Sequence, residues 1–425
     1  MKAVLVFGCL ILMLNLATPP TDKSAQAELR WIDDNGKRLT CLDTFLNILF
    51  DSEKEGLMKV DYHAAKIKNL LVGIESVNDP TLKKIRILEV NNLLDQDFFR
   101  YFTHLYAGRA DVINGNTLKS SKLSKLNLRD SLKKIKMYGS VKTMLDGIRC
   151  RYYRYGELKS ILSGCLNERI QYPLKNNSDI LHNENLIVEL KINMERCRWM
   201  PENLSDTLIE VNIPEFKLRL MKVSTVVFES NVIVGQKKHQ SPVIYSKLNG
   251  IVFNPFWHVP FGIANRDIWP KVKKNKSYLK QHHYKVAKTS YKGKIVYRII
   301  QDPGPWNSLG LIKFEFPNSK TVFIHDTPYK DLFNKKIRTL SNGCIRLQRP
   351  VKLASILTGK DSIDLPIYPN VNKIHQMSEF KYPGNCDVLL LYITIARDEN
   401  DFPLIFDDVY GKNNEIKFLF SNSTH

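Results

Sequence analysis

The chain has 425 residues, 43% hydrophobic and 25% charged, which excludes a disordered, collagen-like or coiled-coil protein and leaves room for two or three domains with real cores. Its formal net charge of +20 favours anionic partners through long-range attraction. A lysine-rich surface that merely keeps the chain soluble gives the same charge, so charge alone selects no function.

At the start, Lys2 precedes an apolar run from Ala3 to Ala17, broken only by Gly8 and Asn15, and Ala25-Gln26-Ala27 offers a small-x-small cleavage pattern. This predicts a secretory signal over residues 1–27 and not a retained anchor, because the run is short for a membrane span. The mature chain is then expected outside the cytoplasm, in the periplasm or cell envelope, with no transmembrane segment and no nucleic-acid partner. Six cysteines follow the signal, at 41, 150, 165, 197, 344 and 386, with no CxxC and no metal-site spacing. No metal and no particular disulfide are predicted from them.

Residues 28–200 read as a mostly helical scaffold domain. Leu42, Phe45, Leu46 and Leu49 recur at helical spacing, as do Leu93, Leu94, Phe98, Phe102 and Leu105, and each set makes one apolar stripe. Residues 112–140 read as a loop and an amphipathic helix, and 167–186 as irregular or linker. Near Leu208 the period changes from helical to alternating. Ile209, Val211 and Ile213, then Phe216, Leu218 and Leu220, then Val226, Phe228, Val232 and Val234 are strand signals divided by turn residues. Further strands are predicted at 251–253, 294–300, 311–316 and 321–324. This gives an α+β protein: a helical N-terminal part followed by a β-rich domain over 207–366, with a polar, basic, helical insertion at about 265–293. Residues 367–425 form a C-terminal extension with one strand candidate, 388–395.

One stretch carries chemistry. The apolar run Val322-Phe323-Ile324 delivers His325, and nineteen positions later the loop Ser341-Asn342-Gly343 delivers Cys344, followed by Ile345 and Arg346. A thiol is mostly protonated at neutral pH and needs a base or a positive neighbour to become the attacking thiolate. His325 suits that proton transfer. Gly343 permits a tight turn, amides at Ser341, Gly343 and Cys344 would stabilise an oxyanion, and Arg346 would lower the thiol pKa or bind a carboxylate. A cysteine and a histidine at this separation are, by themselves, more often inert than catalytic.

Ser341-Asn342-Gly343-Cys344-Ile345-Arg346, preceded at this distance by His325-Asp326-Thr327-Pro328, resembles the active-site signature of the L,D-transpeptidase catalytic domain of YkuD type. Val211 to Phe216 with Leu218, Val234-Gly235, Asn254 to Pro260, and Pro303-Gly304-Pro305 with Leu309-Gly310 and Lys313-Phe314 resemble its other landmarks. The helical N-terminal part, the segment Asn193 to Pro201 and the 265–293 insertion resemble the large YcbB-like Gram-negative members, in which the insertion is a mobile cap. Two positions depart from the family pattern: Asn342 stands where many members carry histidine, and Phe323 where many carry tyrosine.

The resemblance implies that Cys344 is the nucleophile and His325 the base. Cys344 would attack the bond before the terminal D-alanine of a tetrapeptide stem and form a thioester. The amine of a second stem would then complete a 3-3 cross-link of peptidoglycan, without any cofactor. Gly343, Ser341 and the Cys344 amide would serve the oxyanion, and Arg346, Asn342, Phe323, Trp257 and Trp306 the substrate. Carbapenem β-lactams are implied inhibitors. The same nucleophile would also serve attachment of envelope proteins to the wall, or trimming with water as acceptor, and a non-catalytic wall-binding scaffold remains the alternative of another class.

Overall fold

The computed structural model describes residues 30–110, 141–167, 179–291, 294–367, 376–400 and 402–421. The signal at 1–27 and the loop and helix expected over 112–140 lie outside them. The described residues form two compact units, 30–109 with 141–149 in the first, and Ala110 with the residues from Cys150 onward in the second.

The first unit is helical: α1 (Leu42–Phe50), α2 (Ala64–Glu75), α3 (Pro80–Ala107) and α4 (Val141–Ile148). The start of α3 is written in Asp79-Pro80. The Asp79 carboxylate caps the amides of Thr81 and Leu82 at 2.8 and 3.3 Å, and Pro80 supplies the first helical φ. Both predicted stripes are buried, with Leu42, Phe45, Leu94, Phe98, Phe102 and Leu105 at 0% exposure. Around them Trp31 stacks on Phe45 and meets Phe98.

The second unit opens with α5 (Tyr153–Leu166) and α6 (Asp179–Arg198). The expected helical domain over 28–200 is therefore divided: α5 and α6 pack on the β-rich part. Helix α6 also begins inside the segment expected to be irregular. Its turn residues, Asn185 for instance, sit in a helix whose inner side, Leu186, Leu190 and Met194, is buried; tertiary burial outweighs local propensity.

The strands are β1 (Thr207–Asn212), β2 (Lys217–Lys222), β3 (Thr225–Gly235), β4 (Ile244–Lys247), β5 (Gly250–Phe253), β6 (Trp257–His258), β7 (Tyr284–Tyr291), β8 (Lys294–Gln301), β9 (Ile312–Glu315), β10 (Ile324–His325), β11 (Thr339–Ser341), β12 (Ile345–Leu347), β13 (Ser378–Lys381) and β14 (Cys386–Leu391), with the pair β15 (Ile395–Arg397) and β16 (Pro403–Ile405) after them. Among the described residues eleven strands form one sheet in the order β13-β5-β9-β10-β12-β3-β2-β1-β14-β4, with β11 beside β3. One face covers a core of Ile209, Val211, Leu218, Phe314, Ile324, Ile345 and Val388, against which α7 (Pro350–Thr358) lies. The opposite face at β1 and β14 is covered by α5 and α6 through Leu208, Leu389 and Leu391.

That two-sided burial corrects the reading of 367–425 as an extension. All six residues of β14 are buried, and the strand lies between β1 and β4, parallel to β1. A continuous apolar run such as Val388 to Leu391 marks a strand covered on both faces, and this one completes the sheet. The strand expected at 321–324 is also shifted, to Ile324–His325, because pairing with β9 and β12 begins only there.

The insertion is helical only in its first half. A π-helical turn, Ala264–Ile268, leads into α-helical Trp269–Lys274 and Tyr278–Gln281, and then β7 and β8 form a hairpin joined by β6. It has a small core of its own, Val259, Ala264, Ile268 and Ile299, with Trp257, Trp269 and Tyr278 against it. Eleven residues of 261–301 are Lys or Arg and one is acidic, so the cap carries a large part of the chain's positive charge.

A candidate thiol active site

Three neighbouring strands set the site. In the register of the sheet Ile324 stands opposite Ile345 and His325 opposite Arg346 on β12, while on the other side Ile324 meets Phe314 and His325 meets Lys313 of β9. Ile324, Ile345 and Phe314 are at 0% exposure in the core. Side chains alternate across a sheet, so Phe323, His325, Cys344, Arg346 and Lys313 share the opposite face. The Ile345 amide donates to the Phe323 carbonyl at 3.1 Å, which sets Phe323 and Cys344 side by side. His325 is then the diagonal neighbour of Cys344, a spacing of roughly 7–8 Å between backbone positions.

The histidine is fixed in tautomer as well as place. Its Nδ1 lies 2.5 Å from the Asp326 carbonyl oxygen. A carbonyl only accepts, so Nδ1 donates and Nε2 keeps its lone pair. Burial, and then the Arg346 guanidinium, pull the His325 pKa down to about 3; the Asp326 and Leu309 carbonyls work the other way and Lys313 adds to the depression. The Cys344 thiol is pushed up by burial, against a main-chain hydrogen bond at Phe323 and the charges of Lys313 and Arg346. The resting pair is therefore neutral thiol and neutral imidazole, not a thiolate–imidazolium pair.

The Asp326 side chain anchors the residue whose carbonyl holds the histidine. Its Oδ2 accepts from the Leu311 amide at 2.9 Å and its Oδ1 pairs with Lys330. Gly310 makes this possible: its φ is +63°, and a Cβ there would lie 2.3 Å from Asp326 Oδ2.

The cysteine loop is tied at each end. Ser341 Oγ donates to the Cys344 carbonyl at 2.6 Å and accepts from the Gly343 amide at 3.1 Å. Gly343 adopts φ +114°, which favours glycine. Its carbonyl accepts from Ser241 Oγ at 2.7 Å, and Ser241 Oγ in turn accepts from the Gly235 amide at 2.9 Å. Behind them Tyr410 donates to the Gly235 carbonyl at 2.5 Å and accepts from the Ser241 amide at 3.2 Å. Tyr410 stacks on Tyr392, whose other ring contact is the Arg196 guanidinium of α6.

This geometry corrects the expectation that the Gly343 amide serves an oxyanion, because that N–H is already held by Ser341. Asn342 is exposed, and its carboxamide oxygen accepts from Arg266 of the π turn at 3.0 Å and from Gln236 at 3.5 Å. Phe323 meets the His325 ring edge-on at 5.8 Å between centroids. Trp257 and Trp306 make their ring contacts elsewhere: Trp257 with Tyr284 of β7, Trp306 stacked at 3.8 Å on His283. They belong to the cap and its approach. No disulfide involves the described cysteines, and among the described residues no group of three or more His, Cys, Asp or Glu is placed to hold a metal ion. Sequence reasoning missed Lys313, Arg266, Ser241 and Tyr410 as members of the site. Only Lys313 had a local signal, its place two residues into the strand beside the histidine.

One sheet face thus presents a cysteine and a tautomer-fixed histidine. Residues 206–367 match the L,D-transpeptidase catalytic domain of YkuD type, and residues 23–162 match a family described as a scaffold domain. The β-rich part of this chain is thus similar to the L,D-transpeptidase catalytic domain. A Haemophilus influenzae protein, named by inference as an L,D-transpeptidase, is 33% identical over 251 residues, covering 56% of this chain and 50% of its own. The chain thus spans about half the length of that curated relative. Among solved structures, an L,D-transpeptidase from Mycobacterium smegmatis (11% identity, TM-score 0.23, 44% of this chain and 58% of that one) and an L,D-transpeptidase mutant from Enterococcus faecium (13%, TM-score 0.20, 44% and 50%) are similar. The likeness to this family rests on the sequence matches and not on these superpositions.

Proposed function

We propose that this chain, exported to the cell envelope, is an L,D-transpeptidase that forms 3-3 cross-links in peptidoglycan, with Cys344 as nucleophile and His325 as general base. The observation that supports this most is the strand register that sets His325 opposite Arg346, two residues beyond Cys344, with Nδ1 committed to the Asp326 carbonyl so that Nε2 carries the lone pair.

The pKa order of the two groups fits a coupled first step. As the sulfur bonds to the carbonyl carbon before the terminal D-alanine of a tetrapeptide stem, the thiol proton moves to Nε2. The C–N bond then breaks, the departing D-alanine amine takes that proton, and a thioester remains. The side-chain amine of a second stem attacks the thioester, gives its proton to His325, and the sulfur leaves to recover it. One amide is exchanged for another and no cofactor is consumed. The Cys344 amide is the oxyanion donor, and the Arg346 guanidinium, whose Nε is buried without a hydrogen-bond partner, is suited to a substrate carboxylate.

Two measurements test this. Intact mass after incubation with a carbapenem should show one adduct that Cys344→Ala abolishes; the absence of any adduct on the folded protein favours a non-catalytic scaffold. Digests of wall material treated with the protein should contain 3-3 dimers. Tripeptide products alone would make water the acceptor, and wall-linked protein would make it a protein amine.

A further inference from the structure

Lys313 was no part of the sequence argument for chemistry, yet the sheet places it opposite His325. Its ammonium lies 4.4 Å from the centroid of the Phe323 ring, and that ring meets the His325 ring edge-on at 5.8 Å. Glu315, two residues along β9, holds the same ammonium at 2.5 Å. Side-chain exposure is 20% for Lys313 and 38% for Glu315, so the lysine is largely withdrawn from solvent and its field at the site is only partly screened. An aromatic face attracts a cation, and the face in question is that of the residue beside Cys344.

We propose that Lys313 is an electrostatic positioning residue of this site: docked on Phe323 and steadied by Glu315, it stabilises negative charge on the Cys344 sulfur and disfavours protonation of His325. The inference rests on the proposed thiol chemistry but concerns only the ionisation of Cys344 and His325. The charged and titratable groups that meet on this face are Lys313 and Glu315 from β9, Arg346 from β12, Asp326 (paired with Lys330) after β10, and Tyr329 beyond it. Of these, Lys313 and Arg346 act on both the thiol and the imidazole. Phe323 has a role here that a tyrosine would share, since its ring face and not a hydroxyl receives the ammonium. The arrangement favours thiolate beside neutral imidazole over the ion pair, because one cation field lowers both proton affinities.

The test reads the thiol directly. The rate of iodoacetamide alkylation at Cys344, followed by peptide mass against pH, gives its apparent pKa in the full-length protein. Lys313→Met should move the midpoint up by about one unit, a roughly tenfold slower reaction at neutral pH, and Lys313→Arg should restore it. Glu315→Gln keeps the cation and removes its counter-charge, so its smaller shift should run the other way. A fold defect would not produce shifts of opposite sign from two members of one ion pair. Superimposable curves for the wild type and Lys313→Met, or a Glu315→Gln shift in the same direction as Lys313→Met, overturn the proposal. If these shifts appear while stem peptides are never acylated, Lys313 keeps its role and the transpeptidase reading fails.

Discussion

The sheet face around β10 and the cap around β7 and β8 are both built of strands, and they differ in what holds them. Phe323, His325, Cys344 and Arg346 are placed by pairing on both sides of β10 and by a core at 0% exposure beneath. The cap relies on a four-residue core and a hairpin whose Ile295 and Tyr297 are 60% and 57% exposed. The proposed reacting groups sit on the part with most to hold it, and the basic, aromatic surface sits on the part with least. Such a division suits chemistry that needs fixed geometry and substrates that must enter and leave.

The largest effect expected on the rigid side is at the base. His325→Gln should lower the acylation rate by about 10²- to 10⁴-fold, measured as D-alanine release. It should also change the pH dependence of stability. With the folded pKa at about 3 and the unfolded one near 6.5, only the unfolded chain binds this proton between the two. The wild type should therefore hold its full stability above about pH 6.5 and lose up to roughly 4–5 kcal/mol as pH falls towards 3. Urea midpoints for His325→Gln should lack that part of the decline, and a parallel decline in both proteins would refute the buried neutral imidazole.

Gly310→Ala comes next. The new Cβ meets the Asp326 carboxylate, and φ +63° is strained for alanine, so strain and overpacking together should cost about 3 kcal/mol. Equilibrium denaturation measures it. A neutral result would mean that Asp326 is not held against this turn.

How far the sequence discloses this division depends on the range of each signal. The alternation from Leu208 onward and the apolar stripes of α1 and α3 are local patterns, and each is found where it was read; the histidine and cysteine motifs are local patterns too. The register that pairs His325 with both Lys313 and Arg346 is not local, because β9 and β12 lie on opposite sides of β10 and nothing in either segment specifies that neighbour. Val388 to Leu391 is legible as a strand but not as the one between β1 and β4. Arg266 is hidden for another reason: it reaches Asn342 from a π turn that no helical period announces. Tyr410 has no motif around it at all. Its function arises only because the chain returns past β14 to stand behind Gly235.

Tyr410 gives a smaller and more specific test. Tyr410→Phe keeps the ring on Tyr392 and removes the hydroxyl that bridges Gly235 and Ser241, leaving a buried carbonyl and amide short of a partner. A loss of about 1–3 kcal/mol in the unfolding of this unit is expected, with acylation slowed because the Gly343 turn hangs on Ser241. Full activity alongside the stability loss would show that the loop is held well enough by Ser341 alone.

The smallest effect belongs to the cap. Arg266 is exposed, and it divides its donors between Asp267 and the Asn342 carboxamide oxygen, with His239 beside it. An exposed contact of this kind adds little to folding and is weakened by salt, so Arg266→Ala should leave thermal unfolding unchanged. Its consequence should appear where the cap meets the cysteine loop. Alkylation of Cys344 by a small reagent should keep its rate, because the sheet face is untouched. Acylation by a bulky stem-peptide substrate should change a few-fold in KM, and the difference from wild type should shrink as ionic strength rises. An equal effect on both reagents would place Arg266 with the rigid face and not with the cap, and the contrast between the two regions would then fail at the contact between Arg266 and Asn342.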